Sequence, residues 1–133
     1  MRKVKRMGLR GYLMVGGALL AVGFAVPAFA EEADAAEGAA KEAKDIYTQR
    51  CTTCHGESGK GDGAAAVALN PKPRDLGLAE WQESVDDAHI EKVIVSGGPA
   101  VGKSPLMPPN PDLAAKTEVV QELRKIVRAF GAK

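Results

Sequence analysis

The run Cys51-Thr52-Thr53-Cys54-His55 restricts this chain more than any other feature, because Cys51 and Cys54 are its only cysteines. A structural zinc site needs four ligands. Beyond this run the only other histidine is His89, so zinc is poorly served. A thioredoxin-like redox pair belongs in a βαβ setting, and no segment here alternates as a strand does. A disulfide between cysteines three positions apart closes almost no loop and removes little entropy from the unfolded chain. Covalent attachment of a haem is the chemistry that the spacing suits. The two thiols add to the two vinyl groups on one edge of the macrocycle. Two intervening residues let both sulfurs reach that edge, and the next residue falls under the iron, where imidazole can ligate it.

The chain begins with a basic head holding Arg2, Lys3, Lys5, Arg6 and Arg10, with no acid. An uncharged run over 11–30 comes next and ends Pro27-Ala28-Phe29-Ala30 before Glu31. Basic head, apolar middle and small-residue exit are the pattern of a secretory signal peptide over 1–30. The alternative is an uncleaved anchor, since about 20 apolar residues suffice to span a bilayer. Pro27 and the Ala-Phe-Ala exit favour cleavage. Export puts the domain in a bacterial periplasm, the kind of compartment in which c-type haem is attached. Loss of five of the eighteen basic residues leaves thirteen against seventeen acids, a net charge near −4. That balance argues against nucleic acid as a partner and permits steering toward a basic patch on another protein.

Cleavage leaves residues 31–133, with Tyr47, Trp81 and Phe130 as the only aromatics. A domain of this size buries a thin core, and a large apolar group at its centre would fill it.

The pattern predicts an all-α domain. Residues 31–44 are dominated by Ala, Glu and Lys and offer almost no apolar face. They read as a leader or linker over 31–42, either a tether or a frayed approach to the first helix, with the domain proper over 43–133. That helix is expected over about 39–51, with Ala43, Ile46, Tyr47 and Arg50 on one face. The glycine-rich stretch after His55 must be loop, and a turn of helix fits 64–69. Asn70-Pro71-Lys72-Pro73 cannot lie inside a helix. The next helix is expected over about 86–96, with Ser84 as its N-cap, Ile90, Val93 and Ile94 as its apolar stripe and Gly97-Gly98 as its end. A loop over 99–116 with five prolines leads to a last helix over 118–130. Thr117 is its expected cap, and Val120, Leu123, Val127 and Phe130 share one side.

Elimination points to the second axial ligand. Met1, Met7 and Met14 lie in the leader, so Met107 is the one methionine left after cleavage. It stands in the proline-braced loop Ser104-Pro105-Leu106-Met107-Pro108-Pro109. A thioether is a soft ligand for haem iron, and a His/Met pair raises the reduction potential. Two alternatives stand beside this: Met107 as an ordinary gap-filler, and a bis-histidine haem through His89, whose place reads as a solvated helix face.

Several stretches together resemble the class I c-type cytochromes. They are Ile46-Tyr47 ahead of Cys51-x-x-Cys54-His55-Gly56, then Gly59-Lys60-Gly61-Asp62-Gly63, the run Leu69-Asn70-Pro71-Lys72-Pro73-Arg74-Asp75-Leu76, and Met107-Pro108-Pro109. The resemblance covers about 43–130 and is strongest to small bacterial monohaem cytochromes c of respiratory chains. It implies the cytochrome c fold, with 3–5 short helices wrapped around one covalent haem c and its iron. In that fold the first and last helices cross, and the haem lies in a crevice between the His and Met loops. It also implies a Pro71 carbonyl accepting from the His55 imidazole, Arg74 pairing with a haem propionate, and Trp81 packing at the propionate edge or in the core. Similarity to haem subunits of terminal oxidases implies redox protein partners, a membrane respiratory complex or terminal oxidase among them. Two positions depart from the family pattern. Ala43 stands where glycine is frequent at the helix crossing, and Ile126 where the last helix often has an aromatic. Tyr47 and Phe130 are the residues expected to compensate.

With both axial positions filled, the iron can bind nothing else. The expected function is then one-electron transfer through the haem edge beside Cys51 and Cys54, in weak and brief complexes, and not catalysis. The rival is a haem enzyme or gas sensor with an open or labile sixth position, for which His89 is the one plausible distal group.

Overall fold

A computed structural model describes residues 28–132. Most of the expected signal segment, residues 1–27, therefore lies outside the described residues.

The first helix is longer than its apolar pattern suggests. Helix α1 (Ala28–Ile46) runs directly into a π-helical turn, Tyr47–Cys51, and then into the short helix α2 (Thr52–His55). The Ala/Glu/Lys stretch that reads as a leader is helical throughout. Strong intrinsic propensity explains the helix, and two alanines explain why it docks. Ala39 and Ala43 are 9% and 0% exposed and join Ile46 and Tyr47 in the main core cluster. Residues 32–38 remain exposed.

A 3-10 turn at Ala66–Ala68 occupies the place where a helical turn is expected. Helix α3 (Ala79–Ser84) has no counterpart in the sequence pattern. Six residues are too few to show a period, and its cause is tertiary. The Gln82 side-chain amide donates to the carbonyls of Leu76 (2.6 Å) and Val127 (2.9 Å). Arg128 donates to the Gln82 carbonyl and side-chain oxygen, to the Val85 carbonyl and to Asp87, all at 2.7–2.9 Å. Ser84 closes α3, its hydroxyl donating to the Trp81 carbonyl at 2.8 Å. The cap of α4 (Asp87–Ser96) is Asp86, whose carboxylate accepts the His89 N–H at 2.7 Å. An aspartate starts α4 more sharply than the expected Ser84, because its ionised oxygen also suits the positive end of the helix dipole. Gly97, with φ +77°, ends α4.

The proline-rich loop contains two 3-10 turns, Gly98–Val101 and Pro111–Leu113. Helix α5 (Thr117–Phe130) starts one residue earlier than expected. Thr117 is its first helical residue, and Lys116 holds the cap position without a side-chain cap bond. Among the described residues there is no strand.

Helices α1 and α5 pack on each other. Val119, Val120 and Leu123 of α5 join Ala39, Ala43, Ile46, Tyr47 and Leu113 in one cluster. Leu76, Ile90 and Val127 form a second, with Trp81 and Val85, both partly buried, packed against it. Phe130 packs against both clusters, as does Ile94. The Tyr47 and Phe130 rings meet at 5.4 Å with planes tilted 47°, a geometry worth about 0.5–1.5 kcal/mol beyond burial. The contact lies where the end of α1, running into its π turn, meets the end of α5.

A candidate haem site

The attachment motif begins inside the π-helical turn. Such a turn inserts one extra residue into a helix and re-aims the side chains beyond it. Here Thr52 Oγ1 bonds the Thr48 carbonyl at 2.7 Å and Thr48 Oγ1 the Lys44 carbonyl at 2.9 Å. Cys51 ends the π turn, and Cys54 and His55 sit on α2. All three side chains are half-buried, and Cys51 and Cys54 form no disulfide. Burial pushes the Cys51 thiol up to about 11, partly opposed by the Arg50 charge and reinforced by Cys54.

The glycine loop after His55 folds back over α2. Gly56 has φ +77°, and a Cβ there would strike the Asp62 carboxylate, so only glycine fits. The amides of Gly61, Gly63 and Ala65 donate to the carbonyls of His55 (2.9 Å), Cys54 (3.2 Å) and Thr53 (2.9 Å). These bonds satisfy the last carbonyls of α2, which a helix cannot pair by itself. The buried Tyr47 hydroxyl donates to the Gly56 carbonyl at 2.9 Å, fixing the loop to α1.

This loop in turn positions the imidazole. The Leu76 amide donates to the Gly59 carbonyl at 2.7 Å, which draws residues 74–76 alongside. His55 Nδ1 then lies 3.3 Å from the Arg74 carbonyl. With the proton on Nδ1, that contact orients the ring and leaves Nε2 free for a metal. Burial holds the His55 pKa down, with the Arg74 bond acting the other way. The neutral imidazole that results is the ligating form.

Arg74, not Pro71, therefore supplies the carbonyl that faces the imidazole. Pro71 is exposed and comes after a cis peptide bond. The choice of carbonyl depends on the folded path of 70–76, which the Gly59–Leu76 bond sets and sequence spacing does not. The Arg74 side chain is exposed.

Met107 is half-buried in a loop fastened to the end of α4. Its carbonyl accepts the Gly98 amide at 3.0 Å, and its own amide donates to the Ser104 carbonyl at 3.3 Å. Beyond Pro108 and Pro109, Asn110 makes two bonds to α4. Its amide donates to the Val95 carbonyl at 2.9 Å, and its side-chain Nδ2 to the Ile94 carbonyl at 2.8 Å. His89 is half-buried on α4, less open to solvent than the helix face expected of it. Sequence reasoning misses Asn110, although a polar side chain just after Pro-Pro is a signal for a backbone anchor.

Two clefts of about 580 and 510 Å³ border the motif's backbone, the second lined by Tyr47, Thr48, Ile126 and Phe130 among others. Neither is lined by Cys51, Cys54, His55 or Met107, so the donor set defines the chemistry. Among the described residues, no group of three or more His, Cys, Asp and Glu side chains could hold a bare metal ion. Two thiols at the attachment spacing and one oriented imidazole suit a metal that arrives inside a macrocycle. These residues fit a haem.

No curated protein matches the chain significantly. The family model for cytochrome c matches residues 40–127, a span holding the motif, the Arg74 carbonyl and the Met107 loop. The chain belongs to the cytochrome c family, and its cofactor is covalently bound haem c with its iron.

Proposed function

We propose that this cytochrome c is an exported, periplasmic one-electron carrier whose iron is held by His55 and Met107. Family membership makes the function haem-based electron transfer with redox partners. The observation that carries the finer reading is the contact between His55 Nδ1 and the Arg74 carbonyl, which presents one nitrogen for ligation on the attachment helix. When bound, the haem supplies the one-electron couple. The protein anchors it through Cys51 and Cys54, holds the imidazole neutral and oriented, and offers a soft sulfur from a loop stiffened by Pro108 and Pro109. A filled sixth position makes the protein a carrier and not an enzyme or gas sensor. The basic head and Ala28-Phe29-Ala30 support export with cleavage after Ala30, and the mildly acidic mature chain suits docking on a basic face of a membrane respiratory complex or terminal oxidase.

Visible absorption of the oxidised holoprotein tests the ligation. The weak band at the red end that marks methionine bound to iron(III) is expected, with slow carbon monoxide binding to the reduced form. Met107→Ala should abolish the band, open the site to carbon monoxide and lower the potential, because the soft neutral sulfur favours reduced iron. His89→Ala should change none of these. The reverse pattern would assign the ligand to His89, and a wild type that binds carbon monoxide at once would be an open-site haem protein.

A further inference from the structure

Arg50 immediately precedes the first attachment cysteine and has no part in the chemistry described above. Its Nη1 lies 3.0 and 2.9 Å from the two carboxylate oxygens of Asp112 and 3.4 Å from Asn110 Oδ1. Asn110 is the residue whose amide and side chain are fixed to the Val95 and Ile94 carbonyls. Only Pro108 and Pro109 separate it from Met107. Each proline has φ restrained near −65°, so this spacer transmits displacement where a flexible one would absorb it. Met107 is itself tied to Gly98 on the other side. The guanidinium thus joins the segment that anchors one face of the haem to the segment that delivers the ligand to the other.

We infer that Arg50, paired with Asp112 and Asn110, is a positioning residue that holds the Met107 loop closed on the iron and sets how readily the sulfur leaves it. The inference rests on the reading of Met107 as axial ligand. Both partners of the ion pair are about half exposed, at 42% and 50%. Such pairs are weak enough to bound the effect at roughly a fivefold change in the open population of the loop. Lys116–Glu42 is a matched control. It is 2.6 Å long, 46% and 42% exposed, and also joins α1 to the segment before α5, but neither residue bonds Asn110.

The test measures carbon monoxide binding to the reduced full-length holoprotein, a rate limited by departure of the Met107 sulfur, together with the red absorption band and the melting temperature. Arg50→Gln and Asp112→Asn should each speed binding about two- to fivefold, and the double variant no more than either alone. Arg50→Lys should recover part of the effect. Lys116→Gln should lower the melting temperature by a similar amount and leave the rate unchanged. If Met107→Ala opens the site but Arg50→Gln is no faster than Lys116→Gln, Arg50 is an ordinary surface ion-pair partner and the inference falls alone. If the wild type already binds carbon monoxide as fast as Met107→Ala, the ligand reading falls and takes the inference with it.

Discussion

Tyr47→Phe removes a single oxygen and isolates the bond that ties the glycine loop to α1. Tyr47 is 7% exposed, and its hydroxyl donates to the Gly56 carbonyl at 2.9 Å. A net intramolecular hydrogen bond is worth about 0.5–1.5 kcal/mol, and a buried acceptor left wholly unpaired costs more, about 1–3 kcal/mol. The Gly56 carbonyl keeps the Gly59 amide at 3.3 Å, so the lower range applies. Phenylalanine also retains the 5.4 Å ring contact with Phe130. The expected loss is about 1 kcal/mol, which lowers the melting temperature of a domain of this size by about 4–8 °C. Tyr47→Ala forfeits the ring as well and should cost about 3–5 kcal/mol. The assay is guanidinium unfolding of the holoprotein near neutral pH, followed by circular dichroism, with hydrogen exchange at the Gly59, Gly61 and Gly63 amides. Exchange should rise there more than along α5. Burial foremost, with the nearby Asp62 charge, raises the Tyr47 pKa. The hydroxyl's contribution is therefore complete below the ordinary tyrosine value of about 10 and is lost as pH climbs through the higher folded value. A Tyr47→Phe protein indistinguishable from wild type, or as unstable as Tyr47→Ala, would refute this account of the loop.

Asp87 accepts from Arg128 and contacts Arg124, and these groups hold its pKa down, the Arg128 bond foremost. Its contribution is present above the ordinary aspartate value of about 3.9 and fades as pH falls through the lower folded value. Asp87→Asn should thus be less stable than wild type near neutrality in urea unfolding, and the gap should close in strong acid; a gap that persists there contradicts the ion-pair account. The double change Cys51→Ser with Cys54→Ser should release the haem to acid–acetone and yield little folded protein, because a core of two small clusters depends on its prosthetic group. A well-folded haem-free variant is the opposing result. Mass spectrometry of protein recovered from the export compartment should find Glu31 at the N-terminus, whereas a membrane-embedded form retaining residues 1–30 would establish an anchor.

The attachment chemistry is readable from sequence because it is local. Two thiols and an imidazole within five consecutive residues need no tertiary knowledge, since their spacing must match one edge of one macrocycle. Helices α4 and α5 are readable because a one-sided apolar stripe repeats at the helical period: Ile90 on α4 and Val120, Leu123 and Val127 on α5 are buried as the spacing predicts. Only the tertiary structure could decide the rest. Ala39 and Ala43 look featureless in an Ala/Glu/Lys run, and their burial depends on α5 lying against them. Helix α3 is too short for periodicity and exists beside the Gln82 and Arg128 bonds across to residues 76 and 127 and to α4. The partner of His55 is Arg74 and not Pro71 because a carbonyl's reach depends on how its loop returns, and a bond between Gly59 and Leu76 sets that return. Local chemistry and periodic burial are written in neighbouring residues. Contacts between segments far apart in the chain are chosen by packing, which the order of residues encodes only through the whole fold.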